Sequence, residues 1–209
     1  MDTNYIITIG RQLGSGGKKI GEILSENLGI PCYDKELIQL ASQESGLGKE
    51  FFEEMDEKSQ HRFFSNFFQF RSGVVGNITS NYLQNETLFK IQSDVIRSLA
   101  EKESCIFVGR CADYILRENP KCLYIFISAD LDDRIQHISQ DMQINKKEAL
   151  NLINEMDKKR AGYYNYYSNK TWGVSTSYHL CINSSLLGIT ETANFILSYF
   201  ERFQQLNIS

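Results

Sequence analysis

The residues with the most chemistry to offer are a glycine-rich run, Gly10-Arg11-Gln12-Leu13-Gly14-Ser15-Gly16-Gly17-Lys18-Lys19, and three arginines far from it in the chain, Arg110, Arg134 and Arg160. Glycine lets a backbone turn tightly and approach a ligand without a Cβ clash. Amide N–H groups in such a turn, and at the start of a helix behind it, point at one place and favour an anion there. Arginine adds forked donors that grip two phosphate oxygens. These residue types suit a polyphosphate and phosphoryl transfer, which asks a protein mainly for alignment and for cancellation of developing charge. The phosphate-loop pattern G-x-x-x-x-G-K-S/T is met only in part. Gly17 separates Gly16 from Lys18, and Lys19 stands where a magnesium-binding hydroxyl is expected. A plain glycine-rich strand-to-helix turn is the alternative.

Elements of the right kind flank each of these residues. Tyr5 to Ile9 is an apolar run that feeds the loop, and Ile20, Ile23, Leu24 and Leu28 repeat at helical spacing behind it, with Gly29 as a stop. Ile30 to Asp34 reads as a second extended piece begun by Pro31, which completes a strand–helix–strand unit. Cys105 to Val108 and Leu123 to Ile127 are continuous apolar runs of strand length, as buried parallel strands require, and 178–183 reads as a last strand. Between them the spacing predicts a helix from Leu88 to near Glu103 and a short one from Ala112, stopped by Pro120. It also predicts 131–142 with Ile135, Ile138 and Met142 inward, a helix capped by Asn145, and a final one carrying Ala193, Ile196, Leu197 and Phe200. Roughly five strands alternate with helices. In such a sheet the carboxyl ends of the strands form the ligand-binding edge, where Lys18, Lys19, Arg110 and Arg134 can converge.

Each candidate has a plainer reading beside it. Asp34, at the end of the second extended piece, either accepts from a substrate hydroxyl or base, or caps the helix that follows. Arg110 directly follows Gly109 after a buried strand, which favours function. Arg134 reads equally well as a solvated helix residue, and Lys158 and Lys159 as a basic helix end. His61, His137 and His179 have no nucleophile partner or ligand spacing, so packing or surface roles are expected. Residues 35–60 look helical. The cluster Phe63, Phe64, Phe67 and Phe68 leaves three readings open: a packed helix face, a homodimer surface or the wall of a base pocket.

Composition narrows the class. At 209 residues with 42% hydrophobic residues the chain can bury a sizeable core as one domain, 1–209. With 22 basic and 26 acidic residues, a net charge of −4 gives no support for a nucleic-acid surface. Five scattered cysteines without a C-x-x-C pair argue against a disulfide framework and a structural metal. No apolar stretch has the length of a signal core or a membrane span, so no membrane partner and a cytoplasmic location are expected.

Four stretches carry a resemblance: Gly14-Ser15-Gly16-Gly17 with its helix, Tyr33-Asp34-Lys35-Glu36, Ile106-Phe107-Val108-Gly109-Arg110-Cys111-Ala112-Asp113, and Arg160-Ala161-Gly162-Tyr163-Tyr164 running to Trp172-Gly173. With them the chain resembles the cytidylate kinase-like family of small P-loop proteins over most of its length. The resemblance implies a three-layer α/β P-loop kinase-like fold with a central parallel sheet, a helical acceptor-binding insert over 35–90 and a lid region over 140–160. It implies ATP and Mg2+ as cofactors and phosphoryl transfer to CMP, dCMP or a related small molecule. A nucleotide-binding protein of the same fold with little or no activity is the alternative. Carried onto this chain, Arg11, Gly14, Ser15, Gly16, Gly17, Lys18 and Lys19 would hold the ATP phosphates. Asp34 and Arg110 would lie on the acceptor side, and Lys18, Arg134 and Arg160 would meet the transferring phosphate. No protein ligand for the metal is implied.

Overall fold

The computed structural model describes residues 4–34, 38 and 78–206. The chain divides into two compact units, Met1–Lys35 with Arg97–Ser209, and Glu36–Ile96. The strands are β1 (Ile6–Arg11), β2 (Cys32–Tyr33), β3 (Cys105–Val108), β4 (Cys122–Ser128) and β5 (Leu180–Asn183). They form one five-stranded sheet in the order β2-β3-β1-β4-β5. Every pairing is parallel, with Ile6 of β1 opposite Cys105 on one side and Cys122 on the other. The helices are α1 (Gly17–Leu28), α2 (Ile78–Lys102), α3 (Ala112–Ile115), α4 (Leu131–Met142), α5 (Lys146–Ser168) and α6 (Gly188–Leu206).

Alternate strand residues explain why the sheet sits between layers. Ile7 and Ile9, Ile106 and Val108, and Leu123, Ile125 and Ile127 join Ile20 and Leu24 of α1 and Ala193, Ile196 and Phe200 of α6 in one buried core. Each fully buried isoleucine or leucine there contributes about 1.5–3 kcal/mol. The other face carries Tyr124 and Phe126. The Tyr124 hydroxyl donates to the Leu116 carbonyl just past α3 at 3.1 Å, and the Phe126 ring lies 5.0 Å from that of Tyr178. Apolar residues thus face both ways along β1, β3 and β4, which is why these strands read as unbroken apolar runs.

The helix ends follow local rules. Gly29 closes α1 with a left-handed backbone, its N–H reaching the Ser25 carbonyl. Asn145 starts α5 with a capping box: its side chain accepts from the Glu148 N–H at 3.0 Å while Glu148 accepts from the Asn145 N–H at 3.2 Å. Three expectations are corrected. Met142 is not inward but 53% exposed, because α4 ends there and Gln143 takes up a left-handed cap. α2 begins at Ile78 rather than near Leu88, the polar residues 80–87 being helical despite their composition. Lys158 and Lys159 are not at a helix end but in the middle of α5, which runs on to Ser168.

Of the second unit, Ile38 and the α2 residues to 96 are described. Ile91, Val95 and Ile96 are buried, and the Ser93 hydroxyl donates back to the Phe89 carbonyl at 2.7 Å. The phenylalanine run 63–70, on which the homodimer expectation rests, lies outside the described residues, as does most of the expected insert. No helix among the described residues is long and apolar enough to cross a membrane.

Candidate functional site

The glycine-rich loop leaves β1, the central strand, at its carboxyl end. Gln12 extends the pairing with β4, its N–H donating to Ile127 O at 3.0 Å while its own side-chain oxygen accepts from the Ala129 N–H at 3.2 Å. Gly14 and Gly16 then take φ values of 80° and 74°, the left-handed region that favours glycine. A Cβ on Gly14 would also fall 2.8 Å from the Arg134 carbonyl oxygen, and one on Gly16 would fall 2.8 Å from Ile189 Cγ1.

Three of the loop's carbonyls are bound to the scaffold. Leu13 O accepts from Arg134 Nε at 2.7 Å, Gly14 O lies 2.8 Å from His137 Nδ1, and Ser15 O accepts from the Ser184 hydroxyl at 2.8 Å. The Leu13 N–H donates to Asp157 Oδ1 at 2.8 Å. Partial negative charges that would repel a phosphate are thereby tied to side chains of α4 and the β5–α6 turn. In α1 the first intrahelical bond is Ile20 N–H to Gly16 O at 2.9 Å, so the N–H groups before it have no acceptor within the helix. The first turn holds no acidic residue, only Lys18 and Lys19. That charge pattern opposes the helix dipole, and an anion at the helix start would relieve it.

Three arginines lie against this loop, from β1, α4 and α5. Arg134, 6% exposed, forms an ion pair with Asp157 in addition to its bond to Leu13. Arg160 on α5 donates from Nη1 to the Arg11 carbonyl at 3.0 Å. Burial lowers its pKa, as does the nearby Arg134 charge, whereas Asp157 opposes both. Asp157 is therefore a counter-charge common to two guanidinium groups. Arg11 lies across the site: a Cβ on Gly17 would come within 2.6 Å of Arg11 Cβ and 2.9 Å of its Cγ, and a Cβ on Gly109 would overlap its Nη1. Arg110 follows at the end of β3, its guanidinium carbon 5.4 Å from the Tyr163 ring centroid. Gly109, Arg110 and Cys111 have φ of 85°, 60° and 55° in succession. For the two non-glycines this conformation costs about 1–2 kcal/mol each.

Lys18 and Asp34 meet each other, Nζ to Oδ2 at 2.6 Å, at the carboxyl end of β2. Lys19 instead lies 3.3 Å from Glu22 in an exposed pair along α1. Ser15 is fully buried and its hydroxyl donates to Gln12 O at 2.9 Å. A protein-held magnesium does not fit these residues: the loop's single hydroxyl is turned inward, and no group of three His, Cys, Asp or Glu suited to a metal occurs among the described residues.

Sequence reasoning passed over Asp157, gave His137 only a packing or surface role, missed Ser184 and quoted Asp113 only within a motif. The first two carried a weak signal, since Asp157 precedes Arg160 by one helical turn and His137 follows Arg134 by the same spacing. Asp113 accepts from the Tyr164 hydroxyl at 2.7 Å. Burial pushes its carboxyl above the usual 3.8, outweighing that hydrogen bond. The Tyr164 ring in turn stacks on Tyr178 at 6.2 Å, which links the last turns of α5 to the turn before β5.

Comparison with known proteins places this arrangement. The family described as cytidylate kinase-like matches residues 6–186. A crystal structure of an uncharacterized protein from Eubacterium ventriosum ATCC 27560 is 30% identical, with a TM-score of 0.74, over 96% of this chain and 99% of that one. Shikimate kinase from Bacteroides thetaiotaomicron is 13% identical with a TM-score of 0.52, over 94% of this chain and 98% of that one. A gluconokinase from Sinorhizobium meliloti 1021 is 10% identical with a TM-score of 0.50, over 99% and 98%. The last two share the fold alone. No curated protein matches the chain.

Proposed function

Because the chain belongs to the cytidylate kinase-like family, we propose that it transfers the terminal phosphoryl group of ATP to a nucleoside monophosphate, CMP or dCMP, or to a related small molecule. The observation that carries this reading is the loop itself. Its Leu13, Gly14 and Ser15 carbonyls are bound to the scaffold, its glycines open into α1, and Arg11 and Arg160 stand on its β1 side. On this reading the loop amides and Arg11 receive the ATP phosphates. Arg110 receives the acceptor's phosphate at the end of β3, and Asp34, with Lys18 paired to it, lies on the acceptor side beyond β2. Arg160 faces the transferring group. Arg134 acts through the loop, whose shape it fixes with Asp157, and is a positioning residue. Residues 140–160 would serve as lid and 35–90 as the acceptor-binding insert.

The chemistry then needs no side-chain nucleophile. An acceptor phosphate oxygen attacks the γ-phosphorus in line, the new P–O bond forms as the bond to the β,γ-bridging oxygen breaks, and ADP leaves with that oxygen. Fixed amides and guanidinium groups stabilise the spread charge without reorganising. A closed lid keeps water from competing. Magnesium enters as part of the ATP substrate and not as a resident ion.

Calorimetry with ATP and with CMP, beside a coupled assay of ADP release over a panel of nucleoside monophosphates, tests the proposal. Turnover with one acceptor well above the rate of ATP hydrolysis is expected. Binding without turnover for every acceptor would favour the second reading, a nucleotide-binding protein of this fold without activity. Gly17 at the lysine position and Lys19 at the hydroxyl position are the features that speak for it.

A further inference from the structure

Resting on the phosphoryl-transfer reading, we infer that Arg11 supplies the cation a phosphate loop ordinarily draws from the lysine after its last glycine, and that Gly17 is a glycine because the Arg11 stem fills the space beside it. The loop pattern places a lysine at that position to reach the terminal phosphates. This chain has Gly17 there, with no side chain to offer. The next residue, Lys18, has its ammonium on Asp34 at the end of β2, two strands away from β1.

Arg11 fills the gap from the opposite direction. It is the last residue of β1, and its backbone is held by Arg160 on its carbonyl at 3.0 Å. From there its Cβ and Cγ run beside Gly17 and its guanidinium reaches Gly109 at the end of β3. That places a fixed, permanently charged fork between the loop and the strand end that bears Arg110. It is the position in which a guanidinium can hold the terminal phosphates of a nucleoside triphosphate.

The two arrangements exclude one another. Gly17 is not among the left-handed glycines, so its backbone accepts an L side chain, and alanine would ordinarily strengthen the first turn of α1. Yet a Cβ there would fall 2.6 Å from Arg11 Cβ, an atom fixed to the strand and unable to swing aside. A lysine stem at this position and Arg11 in its observed pose cannot share the space. The departure from the loop pattern is thus a relocation of the charge and not a loss of it.

The test is calorimetric titration of the full chain with ATP and with tripolyphosphate, with melting temperatures recorded alongside. The variants are Arg11→Ala, Arg11→Lys, Gly17→Ala, Arg11→Gly and the Arg11→Gly/Gly17→Ala pair. Arg11→Ala should weaken tripolyphosphate binding roughly 10- to 100-fold, the range for a charge-assisted contact. Arg11→Lys, which keeps the stem and carries the test should Arg11→Ala fold poorly, should fall between that and wild type. Gly17→Ala should lower both affinity and melting temperature when Arg11 is present, and raise the melting temperature in the Arg11→Gly background, which removes the opposing Cβ, a non-additive pair. Equal affinity of wild type, Arg11→Ala and Arg11→Lys would overturn the inference and leave the proposed function resting on the loop amides. The same effect of Gly17→Ala in both backgrounds would overturn its steric half. Failure of the wild type to bind either ligand would overturn the proposed function, and the inference with it.

Discussion

Replacing Asp157 with asparagine removes one charge and almost no volume, yet three groups depend on that charge. Asp157 accepts from the Leu13 N–H at 2.8 Å, pairs with the buried Arg134, and is the anion that opposes the lowering of the Arg160 pKa. Asparagine can keep one of the two hydrogen bonds and cannot balance either guanidinium. Breaking a buried pair by removing one partner costs about 3–5 kcal/mol. The Asp157 side chain is 17% exposed, so some water reaches the pair, and the retained hydrogen bond offsets part of the loss. About 2–4 kcal/mol is therefore expected. For a chain of this size each kcal/mol moves the melting temperature by about 2–4 °C, which gives a fall of roughly 4–16 °C. Scanning calorimetry and urea unfolding read the stability, and titration with ATP reads the loop. Loosened Leu13 and Arg134 should lower ATP affinity as well, although Asp157 is not placed on the ligand. A melting temperature within a degree of wild type with unchanged affinity would refute the idea that this carboxylate holds the loop in shape.

Three further outcomes follow from the same structure. Asp113 titrates above 3.8 when folded, so the folded state binds its proton more tightly than the unfolded chain. Its contribution is complete below the unfolded value and is lost as pH rises through the folded one, so the stability of Asp113→Asn relative to wild type should grow as pH rises above about 4, as thermal unfolding over a series of pH values would show. Arg110→Ala should weaken acceptor binding by calorimetry with little change in melting temperature, since alanine takes the same left-handed backbone and the contact with Tyr163 is worth only about 0.5–1 kcal/mol among those Arg110 makes; equal acceptor affinity in both proteins would remove Arg110 from the site. Asn145→Ala breaks the capping box and should cost about 0.5–2 kcal/mol in urea unfolding.

Much of this architecture was legible from local pattern. Unbroken apolar runs at Cys105–Val108 and Leu123–Ile127 lie where β3 and β4 lie, because strands buried on both faces cannot alternate. Gly29 and Asn145 marked helix ends because capping is local chemistry. Met142 misled because periodicity does not say where a helix ends, and the last residue of α4 has no neighbour to cover it. The site was legible in its cations and not in their partners. Arg134 bonds to a carbonyl 121 residues away and to a carboxylate 23 residues on, distances at which spacing carries no information. Arg11 reads as a loop residue in the sequence but is the last residue of β1, and its course beside Gly17 to Gly109 depends on β1 and β3 lying side by side, a fact of topology and not of sequence.

The most direct measurement is phosphorus NMR of the protein with ATP, magnesium and CMP, extended to the other nucleoside monophosphates. The account predicts that the γ-phosphate resonance of ATP declines as ADP and the diphosphate of one acceptor appear together in equal amounts. Spectra unchanged over hours with every acceptor, or a rise of inorganic phosphate alone, would contradict it.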